Sequence, residues 1–153
     1  MNFARIPVAE LLPMKPPMVF LDRVLSYEDL KLVTEVDIRS GIPFFSDDGV
    51  PAWVGIEYMA QSVAAHAGVK ARLREEPPCV GFLLGTRSYK CELSRFPEGS
   101  SIKINVEPLF FDDGLGAFAC SIDMDRPVAS ATINVYQPDE ESLEDFWAGK
   151  ISR

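Results

Sequence analysis

The sequence predicts an α+β architecture: an antiparallel sheet wrapped around one long central helix. Two observations carry this. Residues 52–74 are the only long helical candidate, and from Trp53 to Val69 every residue is apolar or glycine except Glu57, Tyr58, Gln61, Ser62 and His66. A helix that is apolar on all sides is a buried one. Much of the remaining chain alternates apolar and polar residues with a period of two, as half-buried strands do. With 153 residues the chain is expected to form one domain, 1–153, closed by a short acidic tail from about residue 138. A chain of that size buries roughly 68–70% of its unfolded surface, enough for one core.

The elements follow in order. Residues 8–12 can make one or two helical turns before Pro13 stops them. Residues 19–27 read as a strand, and Leu32, Thr34, Val36 and Ile38 alternate with Val33, Glu35, Asp37 and Arg39 as its hairpin partner. A loop rich in turn formers leads to Pro51, which suits the entrance of the long helix, and Pro77-Pro78 stop the chain beyond it. Its small residues, Gly55, Ala60, Ala64, Ala65, Ala67, Gly68 and Ala71, let other backbone approach on several sides. Four strands are then expected in a meander, at residues 80–92, 102–107, 118–124 and 129–136, with turns at Asp112-Asp113-Gly114 and Asp125-Arg126-Pro127. Residues 141–148 are expected to add a surface helix. Two strands, a buried helix and four strands make the hotdog arrangement, in which sheet and helix each supply the other's apolar partner.

Composition narrows the function. No run approaches the ~20 apolar residues of a membrane span. Pro7, Pro13, Pro16 and Pro17 interrupt any signal-peptide core, so a cytoplasmic protein is expected. Cys79, Cys91 and Cys120 are odd in number and have neither disulfide-framework nor zinc-ligand spacing; with one histidine in the chain, no metal or cofactor is implied. The net charge of −8 is concentrated between Asp112 and Asp145, where nine acidic residues meet only Arg126. A nucleic-acid ligand needs a net basic face and is disfavoured. Lys70, Arg72 and Arg74, with Arg87, Lys90 and Arg95, form a basic cluster in the balanced remainder. It suits either a helix C-terminus and solvated strands or the docking of an acidic partner.

Glu57 is the chemical candidate. A carboxylate about two turns into an apolar helix is costly to bury charged, and such groups are a usual source of acid/base catalysts. Gln61 lies at i+4, within reach of it. Both residues would also serve as mere backbone partners for a loop. His66 lies nine residues past Glu57, half-way round the helix and about 13.5 Å along it; it is expected in the core or at an interface. The helix start near Ala52, Trp53 and Val54 offers backbone N–H groups to a carbonyl oxygen. Asp47 and Asp48 in the preceding loop could reach the same space or be turn residues only.

Residues 11–24, with Leu12-Pro13 and Asp22-Arg23-Val24, resemble the opening of the hotdog-fold 3-hydroxyacyl-[acyl carrier protein] dehydratases. Pro51-Ala52-Trp53-Val54-Gly55-Ile56-Glu57-Tyr58-Met59-Ala60-Gln61 resembles their central-helix motif. Gly81-Phe82-Leu83-Leu84-Gly85 and Pro97-Glu98-Gly99 stand where that family has its next strand and a Pro-Gly turn. The match runs from about residue 10 to 136 and is closest to the dehydratase-like branch associated with aryl-polyene-type pathways. It implies a hydro-lyase acting on an acyl thioester of acyl carrier protein or CoA. It also implies a homodimer, or a heterodimer with another hotdog subunit, whose site is built across the interface. The resemblance assigns the catalytic glutamate to Glu57 and the substrate surroundings to Ala52, Trp53, Gln61 and Gly85. The carrier suits Lys70, Arg72 and Arg74. Three departures stand out: the loop before the helix holds no histidine, Met14 occupies the usual histidine position after Leu12-Pro13, and Ala52 replaces the glycine after the helix-entry proline. Asp48 is then a candidate second catalytic group. A non-catalytic subunit partnering an active dehydratase, and an acyl thioesterase, remain alternatives.

Overall fold

The structure is a computed structural model that describes residues 2–76 and 81–137. After short 3-10 turns at Phe3–Arg5 and Val8–Leu11 come strands β1 (Arg23–Glu28) and β2 (Lys31–Asp37), then a short β3 (Gly49–Pro51). A 3-10 turn at Ala52–Val54 leads into the helix α1 (Gly55–Leu73). Then follow β4 (Phe82–Cys91), β5 (Arg95–Pro97), β6 (Ser101–Asp112), β7 (Leu115–Asp123) and β8 (Pro127–Tyr136). The main sheet is antiparallel in the order β1-β2-β6-β7-β8-β4, and β3 pairs with β5 beside it.

The period-two pattern explains the two faces of this sheet. Ile102, Ile104 and Val106 on β6, and Phe118, Cys120 and Ile122 on β7, are buried with Met59, Val63 and Val69 of α1. Two ties reinforce the packing. The Thr34 and Ser62 hydroxyls meet at 2.7 Å, and Ser62 Oγ donates to the Tyr58 carbonyl, so the Thr34 hydroxyl donates to Ser62. Gly68 lies against the Leu11 carbonyl, where any Cβ would overlap the oxygen. The N-terminal segment can therefore lie directly on the helix backbone.

Two expectations are corrected. The four later strands are not a simple meander: β6, β7 and β8 are, but β4 crosses to pair with β8 and forms the far edge. Alternation reports which face a residue takes, not which neighbour its strand finds. Residues 19–22 are not strand; β1 starts at Arg23, and Gln61 holds the segment before it, as described below. Asp22-Arg23 acts as a clasp at the base of the β1–β2 hairpin. Arg23 pairs with Glu35 and Asp37, and Asp22 accepts from the Asp37 N–H and from Arg39. The bond from Arg23 holds the Asp37 carboxyl down at about 2. The helix expected at 141–148 lies outside the described residues. No helix among the described residues is long and apolar enough to cross a membrane.

Candidate active site

Glu57, Ala60, Ala64 and Ala67 of α1 are only partly buried and line one groove. They form one stripe on the helix, spaced by three or four residues. Together they floor the groove, of about 220 Å³, walled by Leu83 of β4, Phe118 of β7 and Val135 of β8. Pro13 and Met14 close another side, and Gln137 lines the end beyond β8. From Glu57 to Ala67 the groove runs ten residues of helix, about 15 Å.

Glu57 lies in the first turn of α1, rather than two turns in, because residues 52–54 form a separate 3-10 turn. It is half-buried and faces the groove, not the core. Gln61 Nε2 donates to Glu57 Oε1 at 3.1 Å and to the Met18 carbonyl at 2.8 Å, while its Oε1 accepts from the Phe20 N–H at 2.8 Å. The buried amide is thus saturated: it holds residues 18–20 against the helix and orients one oxygen of the carboxylate. Among the described residues Glu57 is the only ionisable group lining the groove.

The other expected site residues do not gather there. Asp48 is exposed, with φ +68°, in the turn before β3, where its carbonyl accepts from the Glu98 N–H. Gly85 pairs with Asn134 in β4 and does not line the groove. The Ala52 N–H is not available to a ligand, because it donates to the Ser94 carbonyl at 3.0 Å. Trp53 is exposed and stands edge-on to Phe44, with Phe44 in turn edge-on to Phe20. These rings cover the outside of the helix start. Of the basic cluster, Arg72 pairs with Glu10 at 3.2 Å, Lys70 lies over the Phe111 ring, Arg74 is exposed, and Arg95 pairs with Asp47.

His66 is a core histidine. Its Nε2 lies 2.7 Å from the Leu30 carbonyl, and the ring is flanked edge-on by Tyr27 and Phe118. Burial lowers its pKa below the usual histidine value. The residues not singled out from sequence are the groove walls Leu83, Val135 and Gln137. The stripe 57-60-64-67 carried the signal for the floor, whereas the walls needed the β4–β8 pairing.

The ApeP dehydratase (ApeP-like) family model matches residues 6–147. The chain belongs to the ApeP-like dehydratase family. Among solved structures, it is similar to a chain of the dehydratase heterocomplex ApeI:P from Xenorhabdus doucetiae. The two are 30% identical over 93% of this chain and 97% of that one, with a TM-score of 0.83. Two further structures share only the fold with this ApeP-like chain. One is a hypothetical thioesterase from Streptococcus pneumoniae with coenzyme A, at 12% identity and TM-score 0.60 over 75% of this chain and 84% of that one. The other is a Streptococcus mutans protein bound to acetyl CoA, also at 12% identity and TM-score 0.60, over 82% and 95%. The architecture expected from the sequence, an antiparallel sheet around one helix, is the hotdog fold these structures share.

Proposed function

We propose that this chain is the glutamate-bearing subunit of a 3-hydroxyacyl thioester dehydratase. The observation that carries the reading is a single carboxylate, Glu57, oriented by Gln61 at one end of an apolar groove. Elimination of water removes the C2 proton and protonates the departing C3 hydroxyl, so one group must act as base and one as acid. Glu57 takes the C2 proton. Met14 stands where the resembling dehydratases carry a histidine, and Asp48 lies away from the groove, so this chain offers no second titratable group beside Glu57 among its described residues. The acid for the C3 hydroxyl is supplied from a second hotdog subunit, or Glu57 returns the proton itself.

The substrate is an acyl thioester whose chain lies along Ala60, Ala64 and Ala67. About 220 Å³ holds roughly seven methylene-sized units, taking the ~30 Å³ share of a liquid water molecule as the measure. The second subunit pairs along β4, the edge strand whose Leu83 and Leu84 are more than half exposed. An acidic carrier protein docks on Lys70, Arg72 and Arg74, and charge reversal at Arg72 and Arg74 weakens its binding in a salt-dependent way. Equal carrier affinity for the reversed variant at low salt removes that part of the reading.

A second reading, a non-catalytic subunit that supports an active partner, is favoured by the lone titratable group in the groove. Incubation with a 3-hydroxyoctanoyl pantetheine thioester, alone and with a candidate hotdog partner, separates the readings by product mass. Loss of 18 mass units that depends on Glu57 supports the dehydratase. Loss of 18 unaffected by Glu57→Gln supports the silent subunit, and free acid with thiol identifies a thioesterase.

A further inference from the structure

The start of α1 is tied to the far edge strand through one side chain. Strand β4 carries an irregularity between Arg87 and Lys90, whose partners on β8 are Thr132 and Ser130. Two residues, Ser88 and Tyr89, therefore stand opposite the single residue Ala131, as in a β-bulge. Ser88 adopts φ +56°, a left-handed conformation that costs a non-glycine residue free energy and persists only where its surroundings enforce it. The consequence is that Tyr89 turns inward. Its hydroxyl donates to the Ala52 carbonyl at 2.5 Å. Burial pushes the hydroxyl well above the ordinary phenol range, so it stays protonated and remains a donor.

Ala52 is then held through the peptide groups on both its sides, since its N–H already donates to the Ser94 carbonyl. Its carbonyl also accepts from the Gly55 N–H, which starts the helix. Glycine at 55 leaves room for this bond: a Cβ there would overlap the Tyr89 hydroxyl and crowd Ile122 and Phe96. Glu57 follows Ala52 by only five residues, through the 3-10 turn and the first turn of α1. Sliding or turning of the helix start would move the carboxylate directly.

We propose that Tyr89 is a positioning residue, which through the Ala52 carbonyl fixes the start of α1 and so the place of Glu57 in the groove. Tyr89 does not line the groove and touches no substrate atom in this scheme. The inference rests on the reading of Glu57 as the base. A base works only within about 2.6–3.2 Å of its proton, and a misplacement of about 1 Å can cost on the order of 100-fold in rate. Since β4 is also one of the two sheet edges, a subunit paired there would bear on the same bulge.

Tyr89→Phe removes one oxygen and keeps the ring. In the active assembly, with a 3-hydroxyoctanoyl pantetheine thioester as the probe, the expected result is a kcat lowered about 10- to 100-fold with KM within about twofold. Amide hydrogen exchange at Gly55 should quicken by about tenfold, the upper end for one hydrogen bond, while the β1–β2 hairpin keeps its protection. Gly55→Ala, which forces Tyr89 aside from the other direction, should reproduce the fall in kcat. Unchanged kcat in a folded Tyr89→Phe protein overturns the proposal, and a parallel loss of rate in Glu57→Gln would show that the base assignment survives it. If Glu57→Gln leaves the rate intact, the base assignment has failed. Exchange then decides alone whether Tyr89 fixes the helix start, and unchanged protection at Gly55 overturns that as well.

Discussion

At the scale of single residues, polar side chains on the one long helix have sharply different jobs set by direction. Glu57 looks into the groove, Gln61 fastens the loop before β1, Ser62 ties to β2, and His66 holds the β1–β2 turn through the Leu30 carbonyl. Both turn residues, Asp29 and Leu30, have positive φ, so this turn is a strained one kept in place from inside. Neutral His66 makes stability pH-dependent with a definite sign. Its folded pKa lies below the unfolded value of about 6.5, so on acidification the unfolded chain binds the proton first. Stability is therefore expected to fall as the pH drops from about 6.5 toward the folded pKa. Urea melts between pH 7.5 and 5.5 check it, and His66→Gln should flatten the His-linked part of the slope. The half-turn offset between Glu57 and His66 was legible from spacing alone. That Gln61 would close a three-way hydrogen bond with Met18 and Phe20 was not, because those partners lie more than forty residues away.

At the scale of elements, α1 was the most legible part of the sequence and β4 the least. A long apolar run between Pro51 and Pro77-Pro78 admits little besides a buried helix. The position of β4 depends instead on long-range pairing, and its bulge breaks the alternation that would have shown which side Tyr89 takes. The Thr34–Ser62 pair gives a test of helix-to-sheet attachment. Ser62→Ala should cost about 1–3 kcal/mol by leaving the Thr34 hydroxyl unsatisfied in the core. Thr34→Val with Ser62→Ala should cost less than Ser62→Ala alone, and additive losses in thermal melts would contradict the pairing. The groove stripe gives a second test. Ala64→Leu places a larger side chain half-way along the floor, so an octanoyl thioether analogue should lose affinity at least tenfold while an acetyl analogue is little changed. Calorimetric titration of both ligands reads this directly; equal loss for the two chain lengths would mean that the groove does not hold the acyl chain.

At the scale of the molecule, two features remain open: an edge strand with exposed Leu83 and Leu84, and a groove with one ionisable group among the described residues. Exposed apolar edges are normally covered, and acid/base elimination needs two proton-transfer roles. In the proposed reading one second subunit along β4 answers both. A charge placed on that strand, Leu84→Asp, should therefore abolish assembly with the partner in sedimentation experiments while leaving the fold of the chain intact. The hotdog architecture was legible from the order of elements, and the family from its motifs. The proposed division of the chemistry between chains is hinted at in the sequence only by what the loop lacks. A sequence records a missing histidine plainly, yet says little about which other surface makes up for it.

The central claim is that Glu57 is the proton-transferring group of this site. The direct measurement is the rate at which a 3-hydroxyoctanoyl pantetheine thioester loses 18 mass units, with wild type and Glu57→Gln compared in the same assembled complex. Glu57→Gln keeps the side-chain volume and can still bond Gln61. The rate should fall at least about 100-fold, the lower end for a positioned acid/base group. Equal rates for the two proteins would contradict the account and leave this chain as the supporting subunit of another's active site.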